Sequence, residues 1–477
     1  MEGIPGSRSG GAGVSFFRSS IRVKGRRGHL VQRGLLRAGL VSLAFVLATG
    51  LAAPPLFSAS DNLLLITIDT TRADHLSCYG YPILTSPNID RLASEGILFE
   101  SVTSQIPLTG PAHVSLMTSR HPRSHGAIRN GVPMAPDIPT LAEVLKEQGY
   151  TNAAFISGWT LRKKLTGLHR GFALYNDRLD TRYRFVNSER PADQVTDLAK
   201  EWLGENRKKD FFLWVHYFDP HFPYREHKKF SHQSLPVTGK TANGFSREKI
   251  ARYDSEISFV DHHIGLLLEE LRNLGLENRT LVVLTSDHGE SFGEHNYVGH
   301  GRRVYESILR IPLILRYPGK IPAGLRSDYP SQTIDVMPTV LSLMGIPAPK
   351  GMKGRNLETV LQPDLPPDEP EIYFETFAGA RKKFWKIFSP PLRGIPLLVG
   401  KKFGSWKYIY NPKTGRHELY NLAVDPLEEH NRIDEHPEFR SLAQSCLERE
   451  EFLPLAARDQ QIDPEDRKML KSLGYVD

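Results

Sequence analysis

Residues 63–68 (LLLITI), followed at once by Asp69, are the stretch on which the fold turns. A nearly continuous apolar run of this length reads as a strand buried on both faces, as in a parallel sheet covered by helices on two sides. Comparable runs recur at 153–156, 211–216, 281–285 and 311–315. Between them, 141–148, 194–203 and 249–274 have helical spacing. In the longest, Ile250, Ile257, Val260, Ile264, Leu267, Leu268 and Leu271 share a face. A short helix is expected after Ser86, with Ser86 as its cap, Pro87 in its first turn and Gly96 at its end. This alternation implies an α/β fold with a mixed, largely parallel sheet sandwiched by helices. Near residue 350 the texture changes. Prolines crowd 347–370, and aromatic-rich runs follow at 372–376, 406–410 and 418–422. They predict a small C-terminal antiparallel α+β subdomain. The expected organisation is a leader over 1–60, a catalytic domain over 61–350, the antiparallel subdomain over 351–432 and a helical tail over 433–477. Two polar, basic stretches, 225–246 and 378–402, are expected to be loops that shape substrate access.

The net charge of +7 is confined to the leader. Of 61 basic and 54 acidic residues, eight basic and one acidic fall within 1–60, leaving 53 of each sign. A neutral body excludes nucleic acid as the expected partner. The leader joins an arginine-rich start to an apolar run, 40–53 (LVSLAFVLATGLAA). That run is shorter than the roughly 20 residues of a spanning helix, so it reads as an export signal. It is expected to be cleaved, or kept as a membrane tether. Either way the body is exported: periplasmic, extracellular or anchored facing outward. Cys78 and Cys446, the two cysteines, are expected to be free thiols.

Three motifs carry chemistry. Asp69 directly follows a buried strand, where an unpaired carboxylate is costly and a metal ligand makes sense of it. Asp287-His288-Gly289 follows the apolar run 281–284 (LVVL) and offers one oxygen and one nitrogen to the same ion. Thr109-Gly110-Pro111-Ala112-His113 opens a helix. Thr109 has the chemistry of a cap. Its hydroxyl also faces the positive end of the helix dipole, where tetrahedral oxyanions bind.

In this order the motifs resemble the sulfatases of the alkaline-phosphatase superfamily. Ser86-Pro87-Asn88-Ile89-Asp90, His216-x-x-Asp219-Pro220-His221, Gly299-His300-Gly301 and Glu418-Leu419-Tyr420-Asn421-Leu422 extend the resemblance over roughly 61–432. It implies an alkaline-phosphatase-like fold and one divalent metal ion held by Asp69, Thr109, Asp287 and His288. Zinc suits the imidazole, calcium follows the sulfatase analogy, and manganese or magnesium are further choices. It also implies catalytic roles for Thr109, His113, His300 and His221, and substrate contacts for His216, Arg120 and Arg72. Two departures stand out. Sulfatases carry a Cys or Ser, oxidised to formylglycine, where this chain has Thr109, so no formylglycine is expected. They carry Arg where it has His113. The substrate is expected to be a small or glycan-linked sulfate or phosphate ester. A Thr ester lacks the elimination route that formylglycine provides, which favours phosphoryl chemistry slightly. Two alternatives stay open: a phosphoethanolamine-type phosphotransferase, and a catalytically silent relative that binds anionic glycans.

Overall fold

Strand β1 (Asn62–Ile68) is buried along its whole length, and its alternate residues feed two separate cores. The structure is a computed structural model that describes residues 61–179, 181–183, 187–231, 247–361, 370–377, 395–449 and 468. The leader, much of both expected access loops and most of the C-terminal tail lie outside the described residues. Leu63 and Leu65 join one core with helices α2 (Thr109–Thr118), α3 (Leu141–Glu147) and α6 (Val336–Leu343). Leu64, Ile66 and Ile68 join the other with α1 (Pro87–Ser94), α4 (Ala192–Asn206) and α5 (Arg247–Asn273). Burial on both faces is why the run shows no polar alternation.

The main sheet adds β2 (Ile97–Thr103), β3 (Thr151–Phe155), β4 (Leu174–Asn176), β5 (Phe211–Tyr217), β6 (Thr280–Ser286), β7 (Arg310–Arg316), β8 (Leu325–Ser327) and β9 (Ser331–Gln332). Its order is β8-β2-β7-β6-β1-β5-β3-β4, with β9 also beside β2. Every pairing is parallel except the two made by β7, which runs against β2 and β6. Strands β2, β4, β8 and β9 have no counterpart among the runs singled out in the sequence. The register matters most at β1, where Ile68 pairs with Tyr217 on one side and Ser286 on the other. Asp69 and Asp287 therefore leave the same edge on adjacent strands, which lie about 4.8 Å apart.

Helix α1 has the expected Pro87, but Ser86 does not cap it. Asp261, on α5, receives the Asn88 and Ile89 N–H groups at 3.0 and 2.8 Å instead. Asp254, on the same helix, is fully buried and bonded to His75 and Tyr81. Both acids are interior structural groups.

Beneath α2, His125 is held as a neutral imidazole. Its Nδ1 accepts from the Ala127 N–H at 3.1 Å, and Nε2 lies 3.0 Å from the Ser115 hydroxyl. Burial, and then the neighbouring His121 and Arg120, depress its pKa to about 3. Unfolded, the ring titrates near 6.5, so between about 6.5 and 3 only the unfolded chain takes up the proton. His125 should therefore contribute fully to stability above that window, and lose about 2 kcal/mol of it by pH 5. Urea unfolding of wild type and His125→Gln at pH 8 and pH 5 measures this. The variant should show a flatter pH dependence, and equal slopes would refute the assignment.

The C-terminal sheet is an antiparallel meander of β10 (Ile372–Thr376), β11 (Leu398–Phe403), β12 (Trp406–Asn411) and β13 (Arg416–Asn421). Strand β11 corrects the expectation of a loop running to residue 402. One face packs on α7 (Leu442–Glu448) through Tyr373, Tyr408, Leu419 and Cys446. The other packs Phe374, Leu398 and Tyr420 against Val304, Tyr305 and Leu309, next to the main sheet. Lys407, fully buried, pins this contact by pairing with Glu306 at 2.9 Å and Glu428 at 2.8 Å. Both cysteines are free.

Candidate active site

Asp69, Asp287 and His288 converge at the shared strand edge, with one ligand atom of each within 4.8 Å of the others. All three are buried. One oxygen of Asp287 is occupied: Oδ1 accepts from the Thr70 N–H at 3.1 Å and the His288 N–H at 2.8 Å. Thr70 reaches this position in the left-handed region, φ 50°, a conformation that costs a non-glycine residue about 1–3 kcal/mol and persists where the surroundings impose it. The other oxygen of Asp287 and both oxygens of Asp69 are buried with no hydrogen-bond partner. Nδ1 of His288 lies 3.0 Å from the Gly289 carbonyl, to which it donates, so the Nε2 lone pair faces the carboxylates, 3.4 Å from Asp287 Oδ2. Gly289 is required here because the Ser307 carbonyl occupies the space of a side chain.

The electrostatics match this geometry. Burial, reinforced by the charges of Asp287 and Glu290, pushes the Asp69 carboxyl well above its ordinary value. Burial also opposes ionisation of Asp287, but His288, His113 and His216 outweigh it and hold its carboxyl low. Two buried acids this close are stable together as anions only beside a cation. Three orphaned carboxylate oxygens and an imidazole lone pair fit a divalent ion.

Thr109 is the first residue of α2, whose N-cap is Leu108. Its Oγ1 lies 3.5 Å from His288 Nε2. The helix end offers an anion less than expected, because the Gly110 N–H donates to the Asn130 side chain at 2.8 Å and Pro111 has none.

His113 corrects its assignment as a group that touches the reacting atoms. Nδ1 donates to the Thr109 carbonyl at 2.8 Å, and Nε2 accepts from the Thr67 hydroxyl, 3.1 Å away. Both nitrogens are engaged within the protein, so His113 positions Thr109. Arg120 is not brought to the site. It lies eleven residues after Thr109, beyond the far end of α2, a ten-residue helix about 15 Å long, and contacts the Lys350 carbonyl. Arg72 lies nearer but is engaged by Asp74 and Glu294, both at 2.7 Å, and by the Glu290 carbonyl. It clasps the 287–294 segment to the end of β1.

His216, His221 and His300 do gather at the site. His216 Nε2 is 3.5 Å from Asp69 Oδ2, and neither ring nitrogen of His216 has a hydrogen-bond partner. The His300 ring lies 4.4 Å from that of His288 and 5.2 Å from that of His221. Burial keeps His300 and His221 neutral, at about 4 and about 3. Glu290 carried no role in the sequence reading. It is buried, its Oε1 is 3.2 Å from His300 Nδ1, and burial lifts its carboxyl to about 7. The signal that marked Asp69, an acid close behind a buried strand, applied equally to Glu290.

A family profile described as Sulfatase matches residues 61–346. The chain belongs to the sulfatase family. A second profile, described as the C-terminal region of N-sulphoglucosamine sulphohydrolase, matches 293–451 and takes in the antiparallel sheet. Among curated relatives of this sulfatase-family chain, an ulvan-active sulfatase from Formosa agariphila is 28% identical over 417 residues, covering 80% of this chain and 78% of the relative. An N-acetylglucosamine-6-O-sulfatase from Bacteroides thetaiotaomicron is 24% identical over 468 residues, covering 78% and 82%. The solved structure of a phosphonate monoester hydrolase from Agrobacterium radiobacter superposes with a TM-score of 0.66 at 21% identity, covering 81% and 94%. The fold is therefore that of the family: a mixed, largely parallel sheet between helices, with a small antiparallel sheet behind it.

Proposed function

We propose that this sulfatase-family hydrolase cleaves sulfate or phosphate esters with Thr109 as its nucleophile, and that it favours phosphoryl substrates. The observation that carries the reading is the placement of the Thr109 hydroxyl 3.5 Å from His288 Nε2, beside the orphaned oxygens of Asp69 and Asp287. A divalent ion held by Asp69, Asp287 and His288 would favour the Thr109 alkoxide and neutralise charge on the ester oxygens. Thr109 Oγ1 attacks phosphorus or sulfur, the bond to the leaving oxygen breaks, and that oxygen takes a proton. The Glu290–His300 pair holds the proton: the Glu290 carboxyl titrates near neutrality, and His300 carries it from Nδ1 to its far nitrogen. Water then attacks the Thr109 ester: its oxygen and one proton leave with the acid product, its other proton returns to the pair, and Thr109 is released as the alkoxide with which the cycle began. His216 and His221 flank the space in which the ester oxygens would lie.

The sugar sulfatase among the relatives supports a glycan-linked ester, and the phosphonate monoester hydrolase supports phosphorus chemistry at the same fold. Export by the leader belongs to the same proposal. An aryl phosphate, a phosphodiester and an aryl sulfate, assayed in parallel on metal-loaded protein with quenched-flow mass spectrometry, provide the test. The expected result is turnover with a phosphorylated Thr109 peptide. Turnover of the sulfate alone would reverse the preference for phosphorus. Inertness throughout, with metal bound and no adduct, would leave the anion-binding alternative.

A further inference from the structure

Two residues before His221, the loop after β5 carries Asp219, which lies with His227 and Glu256 in a cluster separate from Asp69, Asp287 and His288. One ligand atom from each lies within 4.8 Å of the others. The donors are a mixed set, two carboxylates and one imidazole, drawn from two parts of the chain. Asp219 and His227 come from the loop that follows β5, and Glu256 from α5. Asp219 Oδ1 is accounted for, since it accepts the Ala192 N–H at the start of α4 at 3.0 Å. Its Oδ2 is buried with no hydrogen-bond partner, and so is His227 Nε2. Glu256 is 2% exposed; one oxygen accepts the Arg225 N–H, and the other lies 3.7 Å from His227 Nε2, too far for a hydrogen bond. The His227 ring is held flat against Phe259, with centroids 3.9 Å apart and planes at 11°, which fixes where Nε2 points.

The Ala192 and Arg225 N–H groups account for one oxygen of Asp219 and one of Glu256 and leave the rest. The nearby guanidinium of Arg225 pairs with Glu189, and that of Arg190 is turned onto Asn176 and the Arg178 carbonyl. Burial, and for Asp219 the charge of Glu256, lifts Asp219 to about 8 and raises Glu256 well above the carboxylate range, while burial keeps His227 neutral. A neutral imidazole and two carboxylates that are costly to charge alone are what a divalent cation satisfies together. A cavity bounded by Phe218, Asp219, His221, Arg225 and Glu256 opens beside them.

We propose that Asp219, His227 and Glu256 form a second metal site, for zinc or a similar divalent transition ion, distinct from the site at Asp69, Asp287 and His288. The donor set of one nitrogen and two carboxylates favours such an ion over calcium. The site ties the loop that carries His221, directly behind His216 on β5, to α5, so its role is to hold His221 in place. It does not depend on Thr109 being the nucleophile.

The test is zinc stoichiometry on the full chain. Protein stripped with chelator is titrated with zinc, and bound metal is counted by calorimetry and by elemental analysis after gel filtration. Wild type should bind two ions, and Asp287→Asn, which disables the first site, should keep one. Adding Glu256→Gln or His227→Ala to Asp287→Asn should weaken that remaining ion by at least about tenfold. Anomalous diffraction at the zinc edge should give a peak among the three side chains. His227 has a side chain 21% exposed, so its replacement keeps the test usable should Glu256→Gln fail to fold. An Asp287→Asn protein that binds no zinc, or a His227→Ala protein that still binds two ions as tightly as wild type, would overturn the proposal.

Discussion

Thr109→Ala is expected to reduce turnover of every ester substrate by at least about 10³-fold, because it removes the oxygen that attacks in the proposed mechanism. Thr109 is fully buried in the first turn of α2, whose N-cap is Leu108, so its loss should leave the fold intact. Thr109→Ser keeps the oxygen and should retain activity within about tenfold of wild type. The decisive comparison is kcat for the three proteins together with the mass of the Thr109 peptide from quenched reactions. Wild-type turnover by the alanine variant would end the nucleophile assignment.

The second large effect is expected from the carboxylates. Asp69→Asn and Asp287→Asn preserve shape, and in the latter an amide oxygen can still accept from Thr70 and His288 at the place of Oδ1. What each loses is charge at oxygens that no hydrogen bond satisfies, two on Asp69 and one on Asp287. Metal affinity at this site should fall by at least about 10²-fold, and turnover should fall with it. Thermal unfolding of metal-free Asp69→Asn should show little loss, since it removes a buried carboxylate without a hydrogen-bond partner, whereas Asp287→Asn also gives up a charge that the neighbouring histidines stabilise. A variant with undiminished metal affinity would exclude that residue as a ligand.

Much of this was legible in the sequence, for a definite reason. Strands β1 and β6 are buried on both faces, so their residues must be apolar in succession, and a carboxylate immediately behind such a run has few structural uses. Asp69, Asp287 and His288 followed from that alone. Other features depended on long-range pairing that local pattern does not encode. The cap of α1 comes from Asp261, 173 positions away from Asn88. His113 was given a catalytic role by the resemblance, yet Thr67 claims its second nitrogen. Arg120 shares the motif of Thr109 but projects from the opposite end of the helix. Strand β11 was hidden because its apolar residues, Leu398 and Val399, run straight into Lys401 and Lys402, whose charges are neutralised by Glu371 and Glu306.

The contact pinned by Lys407 reaches into the chemistry. Glu306 lies six residues beyond His300, and the Gly301 carbonyl accepts from the Thr376 hydroxyl of β10 at 2.7 Å. The backbone that carries the His300 imidazole is thus braced from behind by the last third of the chain. A change at Thr376 or Lys407 can register as altered catalysis although neither residue meets the substrate, and specificity in such a protein can be tuned from its rear wall.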